Sequence, residues 1–72
     1  MTLVAKLQIE YKEFEEVLEK GKNGIQTIRI DKPNKIIEIQ YEDNSEWNTR
    51  IIPFNGVRSF QFQHLKMKLE LF

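Results

Sequence analysis

The sequence predicts a small α+β domain: an antiparallel β-meander or partly closed barrel of five to six strands, with one short helix between strands 1 and 2. Apolar and polar residues alternate over most of the 72-residue chain, the apolar spacing becomes helical over one short stretch, and turn residues separate the alternating runs. A chain of this length is expected to form a single domain, residues 1–72, with a small core.

The first third of the chain predicts a strand followed by the helix. From residue 2 to residue 11 apolar and polar side chains alternate, which is typical of a strand with one buried face. Phe14, Val17 and Leu18 then fall at helical spacing among glutamates, with lysines at the end of the run. Because this charge order suits the helix dipole, residues 12–21 are predicted to form an amphipathic helix.

The rest of the chain predicts strands and turns. The predicted strands are residues 25–30, 35–42, 47–54, 57–63 and 65–72. The dipeptide Asn55-Gly56 between two of them is a strong hairpin signal. The alternation slips by one residue before the last run, which predicts a bulge or corner near Gln63-His64.

The hairpin at Asn55-Gly56 sets the predicted faces of the sheet. It places on the core face three residues of the strand before it: Trp47, Thr49 and Ile51. For the neighbouring strand to share this face, Tyr41 must oppose Trp47 across a five-residue connection, or a shorter one with a bulge. A simple two-residue turn at Asn44-Ser45 would misplace these residues. A four-residue loop at 31–34 sets Ile28 opposite Ile37, and the ladder on the other side of the 47–54 strand is expected to stop short of Pro53.

The face opposite this predicted core collects apolar side chains near the hairpin. They are Ile36, Ile52, Phe54 and Val57. Two alternatives stay open for this patch: either a closed barrel, the terminal strand or the helix covers it, or it is exposed and binds a protein partner or a second copy of the chain. The run 65–72 offers an unpaired strand edge as another route to such binding.

The charges balance, with 11 basic and 11 acidic residues, but they are unevenly placed. Residues 31–46 are acidic, whereas the residues after them carry four cations: Arg50, Arg58, Lys66 and Lys68. With aromatic residues nearby, these cations support two alternatives. One is a small β-barrel that binds nucleic acid, and the other is an oligomer that sequesters a small anionic ligand between subunits.

No combination of residues predicts catalysis, a metal site or a cofactor. The chain has no cysteine, and its one histidine, His64, has no nucleophile or set of metal ligands close to it in sequence. The three glycines form no phosphate-binding pattern. The glutamates between residues 13 and 19 are expected to form a solvated face. We therefore expect a protein that is not an enzyme and has no cofactor.

The leading hypothesis is a small protein-binding or regulatory module. The longest apolar runs of the chain are far shorter than the roughly 20 residues of a membrane span, so no membrane segment is expected. No secretory signal is visible, so a cytoplasmic location is expected. The frequent Ile, Lys, Glu and Asn resemble AT-rich bacterial or phage coding sequences. This composition suggests a bacterial or phage accessory protein.

Overall fold

The computed structural model describes residues 2–65, which form a small antiparallel half-barrel. The strands are β1 (Thr2–Glu10), β2 (Glu15–Glu19), β3 (Ile25–Asp31), β4 (Ile36–Asp43), β5 (Glu46–Pro53) and β6 (Ser59–His64). A 3₁₀-helix at Phe54–Gly56 joins β5 to β6. The predicted sheet of five to six antiparallel strands is confirmed, whereas the predicted strand 65–72 lies outside the described residues except for Leu65.

Two sheets share β1. Its residues 4–10 lie between β2 and β6, and its first two residues, Thr2 and Leu3, pair with β3. The larger sheet continues from β1 through β3 and β4 to β5. Because both sheets diverge from one strand, they wrap around a common core, and β5 lies at the edge of the larger sheet.

The core between the sheets is aliphatic. Its nine buried residues are Val4, Leu7, Ile9, Ile25, Ile28, Ile30, Ile37, Ile39 and Ile52. Half-buried side chains pack around them, among them Phe60 and Phe62 of β6. Among the described residues no polar or charged side chain is fully buried, so burial of apolar surface is the main stabilising contribution in this fold.

The predicted helix between strands 1 and 2 is wrong, and with it the α+β class, because residues 2–65 contain no α-helix. Glu15–Glu19 is instead β2, which pairs with residues 6–10 of β1. The loop is closed by the Tyr11 N–H, which donates to the Phe14 carbonyl at 2.8 Å. A helix this short is marginal in water, whereas a returning strand satisfies backbone groups on both itself and β1.

The predicted hairpin at Asn55-Gly56 is also wrong. These residues belong to the 3₁₀-helix, and the following strand crosses over to pair with β1 rather than with β5. Phe60 lies opposite Ile9 in this ladder, and its ring centroid is 5.3 Å from that of Phe54. The crossover therefore covers the core with aromatic rings, which a hairpin with β5 would have placed elsewhere.

A two-residue turn connects β4 to β5 where a five-residue connection, or a shorter one with a bulge, was predicted. Asn44 and Ser45 form it, with φ angles of 51° and 66°, the backbone that a tight type I′ hairpin requires. Tyr41 consequently opposes Asn48 rather than Trp47. This shift of one residue exchanges the two faces of β5, because side chains alternate along a strand. Ile52, not Ile51, points into the core.

The β3–β4 pairing keeps its predicted face but not its predicted register. Ile28 opposes Ile39, two residues from the expected partner Ile37, and all three are buried. The loop spans residues 32–35, where the Lys35 N–H donates to the Lys32 carbonyl at 3.1 Å. A shift of two residues leaves every side chain on its original face, so Ile28, Ile37 and Ile39 lie on the core face as predicted.

Candidate functional site: the free edge of β5

Among residues 2–65, β5 is paired on one side only and presents its other backbone edge unpaired. Its ladder with β4 continues past its end, where the Phe54 N–H donates to the Lys35 carbonyl at 2.9 Å. Because hydrogen-bonded and non-bonded pairs alternate in an antiparallel ladder, the residues that turn their N–H and C=O groups away from β4 are Trp47, Thr49 and Ile51. Within residues 2–65 no strand pairs with this side of β5, so these groups are open to an added strand.

The same three residues point their side chains to the outer face of the sheet. Trp47 is 67% exposed and Ile51 is 56% exposed, and both are among the most exposed large apolar residues of the described chain. Pro53 lies at the equivalent position at the end of the strand, where its lack of an N–H removes no bond to β4. The edge therefore combines free backbone groups with apolar side chains.

On the inner face, an ion pair holds β5 against the other sheet. The Arg50 guanidinium donates to both carboxylate oxygens of Glu16, from Nη1 to Oε2 at 2.8 Å and from Nη2 to Oε1 at 2.9 Å. The Tyr11 hydroxyl donates to Glu16 Oε1 at 3.0 Å. This bidentate geometry is the strongest that a carboxylate and an arginine form, and it links β5 to β2 across the open side of the half-barrel.

The ion pair shifts the ionisation of its members in the expected directions. The Arg50 hydrogen bonds hold the pKa of Glu16 below its usual range, and Glu16 in turn raises the pKa of Arg50. Burial, aided by the hydrogen bond to Glu16, raises the pKa of the Tyr11 hydroxyl. Glu16 is therefore ionised throughout the neutral range, and the pair is intact there.

We expect Glu16→Gln to lower the free energy of unfolding by about 1 kcal/mol at neutral pH, since a partly exposed ion pair is worth little more. The pKa of Glu16 is lower in the folded state than in the unfolded state, so its contribution is present above about pH 4.5 and is lost as the pH falls through the folded value. Urea unfolding at pH 7 and pH 3 measures both effects.

The matched control is Glu15→Gln, because Glu15 is the exposed neighbour of Glu16 on β2 and the substitution removes the same charge. It is expected to change the stability by less than about 0.5 kcal/mol at either pH. Equal effects of the two substitutions at pH 7 would show that net charge, not the ion pair, determines the result.

The structure does not assemble the apolar patch predicted from sequence. Ile52 is 6% exposed within the core, and Phe54 and Val57 are half-buried against it. Ile36 is half-buried and precedes the core residue Ile37 on β4, so it lies on the other face of the sheet from Ile52. Three of the four residues are therefore buried or half-buried against the core rather than gathered with Ile36 in one exposed patch.

The four predicted cations are not brought together either. Arg50 is bound to Glu16, and Arg58 lies 3.7 Å from a carboxylate oxygen of Glu10. Lys66 and Lys68 lie outside the described residues. A phosphate group would have to compete with a carboxylate at Arg50 and at Arg58, which weakens the argument for a nucleic-acid or anion site built on these two residues.

Other parts of the described chain bring few reactive or ligand-binding side chains together. A shallow cavity of about 160 Å³ opens between the sheets, and its polar lining includes Arg50, which already binds Glu16. His64 is exposed at the end of β6, with its ring edge against Phe62 at a centroid distance of 5.1 Å. Within residues 2–65, no three acidic or histidine side chains are placed to hold a metal ion.

Comparisons of this chain with protein-family models, curated proteins and solved structures find no match. No helix within the described part of the chain is long and apolar enough to cross a bilayer. The candidate site consequently rests on geometry alone. Sequence reasoning missed the edge residues Trp47 and Ile51 because it assigned them to the core and rejected the two-residue turn at Asn44-Ser45 that the structure contains.

Proposed function

We propose that this protein is a non-enzymatic binding module that recognises an extended segment of a partner protein by strand addition to β5. The supporting observation is that Trp47, Thr49 and Ile51 turn their backbone groups to an unpaired edge while their side chains lie on the exposed face. In strand addition, backbone hydrogen bonds supply affinity and alternate side chains supply specificity.

Three further features favour this edge. β5 is eight residues long, which is enough for a partner strand to form several hydrogen bonds. The Arg50–Glu16 ion pair holds the strand against β2, so less conformational entropy is lost when a partner binds. Trp47 adds a large aromatic contact of the kind that dominates binding energy at protein interfaces.

The test begins with selection of short peptides from a displayed random library, followed by amide exchange of the complexes measured by NMR. Bound peptides are expected to slow the exchange of the Trp47, Thr49 and Ile51 amides, whereas the Asn48 amide, which already bonds to β4, changes little. Thr49→Pro removes one edge donor at a position equivalent to Pro53 and is expected to weaken binding at least about tenfold.

A matched pair of variants distinguishes binding at the β5 edge from nonspecific hydrophobic binding. Trp47 and Phe14 are exposed to a similar extent, 67% and 61%, but Phe14 lies before β2, away from the β5 edge. Trp47→Ser is expected to abolish most of the peptide affinity, and Phe14→Ser to leave it unchanged. Peptides that protect amides elsewhere, or that are insensitive to Trp47→Ser, would contradict the proposal.

A further inference from the structure

We infer that the segment recognised by β5 is cationic, with lysine or arginine alternating with apolar residues; this inference rests on the proposed function. It identifies the partner by charge as well as by backbone conformation. The carboxylates that support this inference lie where β5 begins, next to Trp47.

Three acidic residues lie where β4 turns into β5, with Glu42 on the same face of the sheet as Trp47 and with Asp43 and Glu46 on the opposite face. Glu46 is the first residue of β5, it opposes Asp43 across the turn, and Glu42 opposes Trp47. All three side chains are exposed, and none forms an ion pair with another described residue. Their charge is therefore available to a partner.

Cations do not offset this charge along the edge. Residues 36–49 contain no lysine or arginine, and the next cation, Arg50, is bound in a bidentate pair by Glu16 on the inner side. The edge is thus a strand with free backbone groups at an anionic end, although the whole chain is neutral.

The distances suit side chains of a paired strand. A strand added to β5 lies about 4.8 Å from Glu46 and about 9.6 Å from the β4 backbone that carries Glu42. A lysine or arginine side chain covers most of the second distance and the Glu42 side chain covers the rest, and neither distance greatly exceeds the Debye length of about 8 Å at physiological salt. Trp47 lies opposite Glu42 on the same face and offers its aromatic ring to the same cation.

A polyanion such as nucleic acid would be repelled from this end of the strand, and so would an acidic peptide. Like charges placed side by side cost affinity, whereas opposite charges can favour it. The negative charge therefore makes the edge selective for cationic segments rather than for any extended segment.

The experiment uses three capped peptides of about nine residues, in which valine alternates with lysine, threonine or glutamate. Fluorescence anisotropy of labelled peptides measures their affinity for the intact protein at low and high salt. The lysine peptide is expected to bind at least about tenfold more tightly than the threonine peptide at low salt, with the difference shrinking as salt is raised. The glutamate peptide is expected to bind most weakly.

Charge reversal at the site checks where this preference arises. The double variant Glu42→Lys with Glu46→Lys is expected to weaken the lysine peptide about tenfold and to strengthen the glutamate peptide. The control, Glu13→Lys with Glu15→Lys, changes the net charge equally near β2 and is expected to preserve the preference for lysine.

The possible failures are distinguishable. If the threonine peptide binds as tightly as the lysine peptide and protects the Trp47, Thr49 and Ile51 amides, the charge inference is overturned and the strand-addition proposal stands. If no peptide protects those amides, both fail. A preference for lysine that is lost in the control variant and kept in the site variant would also overturn the inference.

Discussion

Ile52→Ala is expected to lower the free energy of unfolding by about 2–4 kcal/mol, whereas Ile51→Ala is expected to change it by only about 0.5 kcal/mol. The two residues are adjacent in sequence, but Ile52 is 6% exposed and Ile51 is 56% exposed. Removing three carbons from Ile52 leaves a cavity opposite Ile37 in the core. The same change at Ile51 removes atoms that are mostly in contact with water.

Urea unfolding followed by circular dichroism measures both variants. The two isoleucines make a sharp test because a β5 register shifted by one residue would reverse their order. A large loss for Ile51→Ala together with a small loss for Ile52→Ala would therefore contradict the tight Asn44-Ser45 turn, and with it the exposure of Trp47 on which the candidate edge depends.

Gly24→Ala is expected to cost about 2–5 kcal/mol and to unfold a substantial fraction of so small a domain. Gly24 has a φ of +78°, which L-residues with a side chain rarely adopt, and a Cβ there would overlap the Glu42 carbonyl oxygen. The Gly24 carbonyl also accepts a hydrogen bond from the Glu42 N–H at 2.9 Å. The Gly24 backbone, just before β3, therefore approaches β4 as closely as the lack of a side chain allows.

Gly21→Ala is the matched control. Gly21 has a similar φ of +88°, but a Cβ there would meet nothing within 4 Å. Only the backbone penalty applies, so the expected loss is about 1–2 kcal/mol. Thermal unfolding of both variants measures the difference, which isolates the close contact with Glu42. Equal losses would mean that β3 and β4 are farther apart at this end than the structure shows.

The effect of Gly24→Ala should extend to the candidate site. Glu42 lies beside Trp47 in the next ladder, so a shift of β4 at this point moves the start of β5. We therefore expect any Gly24→Ala protein that remains folded to bind edge peptides more weakly than the Gly21→Ala protein does. Gly24 is thus linked to the proposed recognition edge through its contact with the Glu42 carbonyl.

Local patterns in the sequence predicted much of the sheet. Alternation identified β1, β3, β4, β5 and β6 to within about two residues, and it correctly placed Leu7, Ile9, Ile28, Ile37 and Ile39 on buried faces. These assignments depend only on which side chains alternate, and a buried face needs apolar residues whatever its neighbours are. The acidic character of residues 31–46 was also visible from sequence and now supports the charge inference.

The residues between β1 and β3 do not by themselves decide whether this segment forms a helix or a strand. The spacing of Phe14, Val17 and Leu18 fits a helical stripe, yet Phe14 and Val17 are exposed and only Leu18 packs against the core. What favours the strand is the unpaired side of β1, whose backbone groups need partners that a helix cannot supply. That requirement belongs to the assembled sheet and leaves no trace in the residues 15–19 themselves.

The candidate site shows the same division. The sequence by itself determined that the chain has a small aliphatic β core, balanced charge and an acidic middle segment, because composition and alternation are properties of the chain alone. The tertiary structure decided which face of β5 is buried, that β6 crosses to β1, and hence that Trp47, Thr49 and Ile51 lie on a free edge. Register depends on turn geometry and on packing between distant strands, and a shift of one residue exchanges core and surface.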